Sequence, residues 1–299
     1  VFRGKIMGDF QKQTVQWFPG HMAKTRRLIK ESLSMVDAVT EILDARIPLS
    51  SRNPEIEQIT AGKPRIILLN KCDVADERIT REWINYFERK GFTALPVDCR
   101  SGKGLGAYRP AVRKVLAKKI KSNEQKGMAG KSLRVMVVGI PNTGKSSFIN
   151  RMAGKNRAQV ADRPGVTRHN QWFNIGNGIE LLDTPGVLWP KFDDPSVGDK
   201  LAFIGSVKDT VLDSETMAVR LIDVLKKEYP NTLSQRYKIN GIDFAETESF
   251  EILELLGKKR GMLISGGEID TERASVTLLD EYRAGKLGKI SMETPHDIK

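Results

Sequence analysis

Apolar and polar positions along the chain fall into two regimes. Up to about residue 195, short continuous apolar runs alternate with longer amphipathic stretches. Beyond it, apolar residues recur only at helical spacing. The first regime predicts strands over 36–44, 65–69, 92–97, 135–138, 171–175 and 179–182. Between them the pattern predicts helices over 22–34, 76–90 and 105–120. Runs without alternation, such as Ile66-Ile67-Leu68-Leu69, suit strands buried on both faces of a parallel sheet. Strands alternating with helices imply an α/β fold with helices on both faces. In the second regime Met217, Leu221, Val224 and Leu225, then Phe250, Leu253 and Leu256, then Leu278, Leu279 and Tyr282 mark amphipathic helices and no strand series. The expected organisation is a polar, flexible segment 1–13, an α/β domain 14–195 and a small all-helical domain 196–299.

Between these elements lie segments rich in Pro, Gly and Ser. Residues 45–54 read as a loop, and 121–134 as a basic linker containing Gly, Lys and Ser. Near the start, Trp17 and Phe18 precede Pro19-Gly20-His21; the two aromatics are expected to anchor on the core. The chain begins at Val1, and Met7 is a candidate start that the sequence leaves open.

A length of 299 residues suits two domains. The net charge of +12 favours an anionic partner, with RNA or DNA foremost. The two cysteines, Cys72 and Cys99, lack zinc-site spacing and read as free thiols in a reducing cytosol. No apolar run of about 18 residues occurs, so no membrane span is expected, and no apolar signal core stands at the N-terminus.

The chemistry concentrates at Gly139-Ile140-Pro141-Asn142-Thr143-Gly144-Lys145-Ser146-Ser147, between a predicted strand and a predicted helix. The spacing Gly-x-x-x-x-Gly-Lys-Ser is that of a phosphate-binding loop. Its glycines let backbone N–H groups turn toward phosphate oxygens, Lys145 supplies charge to the β- and γ-phosphates, and the Ser146 hydroxyl can ligate Mg²⁺. The following helix adds its positive end. At the end of the 65–69 strand stands Asn70-Lys71-Cys72-Asp73. Asp73 can accept from the N1–H and exocyclic amine of guanine, a donor pair that adenine lacks. Asn70 can reach the base edge, and the Lys71 stem can cover the ring. Asp183-Thr184-Pro185-Gly186 ends the 179–182 strand: Asp183 is placed to hold Mg²⁺, and the Gly186 N–H to meet the γ-phosphate. Thr167, in a loop bounded by Pro164-Gly165, is the candidate second hydroxyl for the metal.

These motifs resemble those of translation-factor-related GTPases, but in another order. The guanine motif comes first and the phosphate loop follows, which is a circular permutation; the 105–134 helix and linker join the former termini. With Trp17-Phe18-Pro19-Gly20-His21-Met22, Asp44-Ala45-Arg46-Ile47-Pro48 and Leu188-Trp189-Pro190-Lys191-Phe192, the chain resembles the circularly permuted GTPases of the YlqF/RbgA (ribosome biogenesis GTPase A) family over nearly its whole length. Asp98-Cys99-Arg100 stands at the Ser-Ala-Lys position of general GTPases, and the Cys99 N–H is expected at the guanine oxygen. Val187 occupies the place of the glutamine that orients the attacking water elsewhere. The resemblance implies His21 as its substitute; a plain loop or cap role for His21 stays open. It also implies potassium near Asn142, and a large ribosomal subunit and its rRNA as partner of a cytoplasmic monomer. Basic residues of the helical domain, densest at Lys258-Lys259-Arg260, are expected to meet RNA phosphates. The alternatives are a GTP-gated RNA-binding adaptor with incidental hydrolysis, and a phosphotransferase, which the guanine motif disfavours.

Overall fold

The computed structural model describes residues 19–154, 171–189, 192, 194–207 and 213–298. The expected flexible segment 1–13, Trp17, Phe18 and Thr167 lie outside them. The backbone at His21 is helical, and nothing further is described for its side chain. Two compact units emerge: 17–191 together with 293–299, and 192–292.

The first unit opens with α1 (Pro19–Ser32), followed by a 3₁₀ turn and β1 (Ala38–Asp44). Then come α2 (Pro54–Thr60), β2 (Arg65–Asn70), α3 (Glu77–Arg89) and β3 (Thr93–Val97). The permutation segment forms α4 (Tyr108–Val115) and α5 (Ala117–Gln125), leading to β4 (Leu133–Val138) and α6 (Lys145–Ala153). β5 (Gln171–Asn174) and β6 (Ile179–Asp183) complete a six-stranded sheet of order β3-β2-β1-β4-β6-β5. Every pairing is parallel except β5 with β6. β1 and β2 are buried along their whole length: β2 by its apolar run Ile66–Leu69, β1 with Thr40, Glu41 and Asp44 partnered by Tyr108, Arg65 and Arg46. One face packs Tyr108, Val112, Phe148 and Ile149; the other packs Trp83, Phe87 and Ile79 of α3.

The expected single helix over 105–120 is divided. Pro110 has no N–H to give to a preceding carbonyl, so residues 105–107 form a 3₁₀ turn and α4 restarts with the proline in its first turn. α5 then extends to Gln125, into residues expected to be linker. A further helix, α2, starts at the end of the expected 45–54 loop and covers residues to which the pattern assigned no element: Asn53 caps it through Glu55 N–H and Ile56 N–H, and Pro54 opens it.

The second unit contains α7 (Pro195–Phe203), α8 (Ser214–Glu228), α9 (Thr232–Tyr237), α10 (Ser249–Lys259) and α11 (Thr271–Arg283). Leu221, Leu225, Leu253, Leu256 and Leu278 are buried within it, as their spacing predicts. Glu281 joins its helices by accepting from Arg236, Tyr237 and Arg260. A short bridge between Leu263 and Ile269 is its one strand-like pairing among the described residues.

The last seven residues, expected with the helical part, belong to the first unit. The Glu293 carbonyl accepts from Trp83 Nε1 at 3.0 Å, and Ile298 packs beside the Trp83 cluster. The Glu293 carboxylate is buried, accepting from Leu49 N–H at 2.7 Å, from Ser50 N–H at 3.0 Å and from the Ser50 hydroxyl.

Candidate nucleotide site

Four strands of the parallel sheet end at one edge, and their C-terminal loops carry the motifs. The turn after β4 is the phosphate loop. Gly139 has φ 151°, and a Cβ there would lie 2.6 Å from the Ile42 carbonyl oxygen. Gly144 has φ 98° and would place a Cβ 2.2 Å from Asn70 Nδ2. Both glycines are therefore required by close approach. Asn142 is itself left-handed, at φ 60°. Thr143 is buried, with its hydroxyl donating to Ile140 O at 3.0 Å, while Ser146 and Ser147 are half-buried in the first turn of α6.

Lys145 is buried, its amine donating to Ile140 O at 2.7 Å. Burial pushes its pKa down to about 8, partly offset by the Asp183 carboxylate. A Cβ on Gly186 would meet Lys145 Nζ at 2.7 Å and Pro141 N at 2.9 Å, so the backbone after β6 lies against the phosphate loop. Thr184 holds that segment to β4 through Val137 O at 2.7 Å. Asp183 is 2 % exposed at the end of β6. Its carboxylate and the Ser146 hydroxyl are hard oxygen donors beside the phosphate loop, the kind of group that could hold Mg²⁺.

The guanine motif is bolted to this loop. Asn70 donates through Nδ2 to Thr143 O at 2.6 Å and accepts through Oδ1 from Cys99 N–H at 2.9 Å. Asn70 thereby joins β2 to the phosphate loop and to the turn after β3, and the Cys99 N–H, the group expected at the guanine oxygen, stands beside Asn70 in that turn. The next amide, Arg100 N–H, donates to Asp98 at 2.8 Å. Both cysteines are free thiols, as expected, and burial pushes both pKa values up.

Lys71 sits at φ 62°, its amine 3.0 Å from Asp44 Oδ2. Asp73 remains partly exposed, with Arg100 at 3.5 Å. Val187, in the glutamine position, is buried, and its carbonyl accepts from Asn53 Nδ2 at 3.0 Å.

Three residues given no role in the sequence reading thus frame the site. Asp44 ends β1 at the same sheet edge as Asn70 and steadies Lys71. Asn53 ties α2 to the segment after Gly186. Glu293 holds the loop between them. Position at a strand end could have singled out Asp44, and the Asn53-Pro54 pair signals a helix cap. Nothing local marks Glu293.

Known proteins give the same reading. Residues 134–253 match the family model described as "50S ribosome-binding GTPase". Ribosome biogenesis GTPase A of Bacillus cereus is 46% identical over 95% of this chain and 95% of its own. The Thermotoga maritima protein of that name is 34% identical over 95% and 96%. Among solved structures, GDP-bound YlqF from Thermotoga maritima superposes with TM-score 0.64 at 31% identity, covering 91% of this chain and 100% of that one. A GNP-bound form of that protein matches with TM-score 0.63. Identity of this extent, on the geometry above, makes the chain a GTPase belonging to the ribosome biogenesis GTPase A family.

Proposed function

We propose that this GTPase acts in late assembly of the large ribosomal subunit: it binds the maturing particle with GTP, and hydrolysis stimulated by the particle releases it. The observation that carries the nucleotide part is the Asn70 bridge, which makes the guanine motif and the phosphate loop one rigid cradle. In this reading the base lies against Asp73 and the Lys71 stem. The N–H groups of 142–147, with the Lys145 amine, hold the phosphates, and the Gly186 N–H meets the γ-phosphate. Ser146, Asp183 and Thr167 would hold Mg²⁺, which supplies charge neutralisation at the β- and γ-oxygens. Asn142 would help hold potassium.

Water attacks the γ-phosphorus, the bond to the β–γ bridging oxygen breaks, and GDP and phosphate leave. Buried Val187 offers the water no hydrogen bond, and His21 is the group assigned to orient it. Ribosomal RNA is the polyanion that the net charge of +12 suits. The protein works as a monomer in the cytoplasm.

The test is GTP turnover with Mg²⁺, in potassium and in sodium, with and without purified large subunits. A slow basal rate raised at least tenfold by subunits, and lost in His21→Ala with GTP affinity kept, is the expected result. A rate indifferent to subunits removes the assembly role and leaves a GTPase with another partner.

A further inference from the structure

The positive charge of this chain is not where the helical unit would put it. Residues 192–292 carry 14 lysines and arginines against 18 acids, a net negative charge. Several of its cations are also engaged internally: Arg236 and Arg260 with Glu281, Arg220 with Asp199, Arg283 with Asp280. The 23 residues from Arg109 to Lys131 hold eight lysines and arginines against one acid, Glu124, or +7 of the chain's +12.

These residues form α4, α5 and the turn that enters β4. Arg109 and Arg113 are structural, donating to carbonyls of Ile175 and Asn177. Lys119 reaches Asp37 at 3.3 Å. Lys114, Lys118, Lys121, Lys126 and Lys131 are exposed, with no acidic partner among the described residues. Lys118 and Lys121 stand three residues apart on α5, a spacing that holds like charges close together and disfavours that face when left to itself. The surface is also concave. A cavity of about 280 Å³ opens between α5, the 126–131 turn and the β5–β6 turn, lined by Arg113, Asn123, Lys131 and Gly178 among others.

We infer that α4, α5 and the 126–131 turn form a second interaction surface, one that binds the phosphate backbone of structured RNA. Apart from Met128, no large apolar side chain on this stretch is exposed, and its one aromatic, Tyr108, is buried. A protein interface would need such anchors at its centre; a phosphate chain needs only lysines at a surface, read by shape. The surface stands apart from GTP chemistry. It enters β4 at Leu133, whereas the phosphate loop leaves after Val138; at about 3.3 Å per residue, the strand separates the two by roughly 20 Å. α4, α5 and the turn lie in the 105–134 segment expected to join the former termini.

The partner as ribosomal RNA rests on the proposed function, and the experiment separates the two. The full-length wild type, a K118Q/K121Q/K126Q/K131Q variant and a K238Q/K258Q/K259Q/K286Q variant of the helical unit are titrated against purified large subunits and a 16-base-pair RNA duplex. Salt is varied from 50 to 200 mM at constant Mg²⁺; unchanged GDP affinity certifies the fold of the first variant, and unchanged hydrogen-exchange protection of the helical unit that of the second. Each phosphate contact contributes about 0.9 to the slope of log affinity against log salt. The first variant is expected to lose about 2 to 4 from that slope, and at least tenfold in subunit affinity at 0.1 M salt, with a smaller loss in the second. Equal losses in both variants, or wild-type slope and affinity in the first, would overturn the inference and leave the assembly role standing. Lysine-dependent binding of the duplex without any binding of subunits would uphold the surface and overturn the ribosomal partner. Binding to neither probe would overturn both.

Discussion

Asp44 offers the sharpest test of how the guanine end of the site is held. Its carboxylate is fully buried and receives Arg46 Nε and Nη2, both at 2.9 Å, the Arg46 N–H at 3.1 Å and Lys71 Nζ at 3.0 Å. Burial alone would raise its pKa, but Arg46 and Lys71 overcome that and hold it well below the usual carboxylate range. Arg46 is 1 % exposed, so Asp44→Ala leaves a buried guanidinium without its counter-charge, at a cost of about 3–5 kcal/mol. Lys71→Ala leaves the Asp44–Arg46 pair intact and removes a side chain that is 26 % exposed, at a cost of about 1 kcal/mol or less. Urea unfolding followed by circular dichroism at pH 7 measures both. With the Lys71 stem over the base as proposed, freeing it from Asp44 costs its pre-ordering, about 0.5–1.5 kcal/mol, so GDP should bind Asp44→Ala roughly two- to tenfold more weakly. A depressed carboxylate pKa stabilises the fold above its unfolded value of about 3.9, and that contribution is lost as pH falls below it. The stability gap between wild type and Asp44→Ala should therefore close on acidification. A cost below about 1 kcal/mol, a cost matched by Lys71→Ala, or a gap unaffected by acid would refute this reasoning.

Gly144→Ala must push the Asn70 amide off Thr143 and strain a left-handed residue; GDP affinity, by fluorescence titration, should fall at least tenfold while the helical unit keeps its hydrogen-exchange protection. Glu281→Gln removes the charge shared by Arg236 and Arg260 and should destabilise the helical unit by about 1–3 kcal/mol in urea. Hydrogen bonds from Arg236 lead the effects that lower the Glu281 pKa, so that contribution is present above the unfolded value and should fade as pH drops below about 4.3. Glu293→Ala strands the buried Ser50 amide and removes the acceptor of Leu49 N–H, and should cost about 1–3 kcal/mol, read as faster hydrogen exchange at 49–53.

Where the sequence carried a strong local signal, the structure follows it. The buried strands, the glycine turn and the helical second unit all rest on patterns a few residues long. Proline and capping chemistry were legible but outweighed: Pro110 divides a helix whose apolar spacing runs on, and Asn53-Pro54 begins one too short to show periodicity. Roles set by long-range contact were not legible. Cys99 lies two residues beyond the Asn70–Val97 pair of the β2–β3 register, and only that pairing turns its N–H toward Asn70. Net charge was readable, and its location was misjudged. Counting lysines and arginines in the helical part, without its acids, made a net-negative unit look basic.

One loop connects what the sequence left separate. Between Asp44 and Asn53 the chain is tied at three points, each within the GTPase unit. Asp44 holds Lys71 of the guanine motif, Leu49 and Ser50 hold Glu293, and Asn53 holds Val187, next to Gly186. Val187 lies just before the chain passes into the helical unit, and Glu293 is where it comes back. Among the described residues, the two places where the chain passes between the units therefore lie next to groups anchored on the same ten residues, which also hold Lys71. Asn53 and Ser50 are buried, so the bonds they make to Val187 and Glu293 have no ready replacement by water, and losing either would leave a buried polar group unpaired.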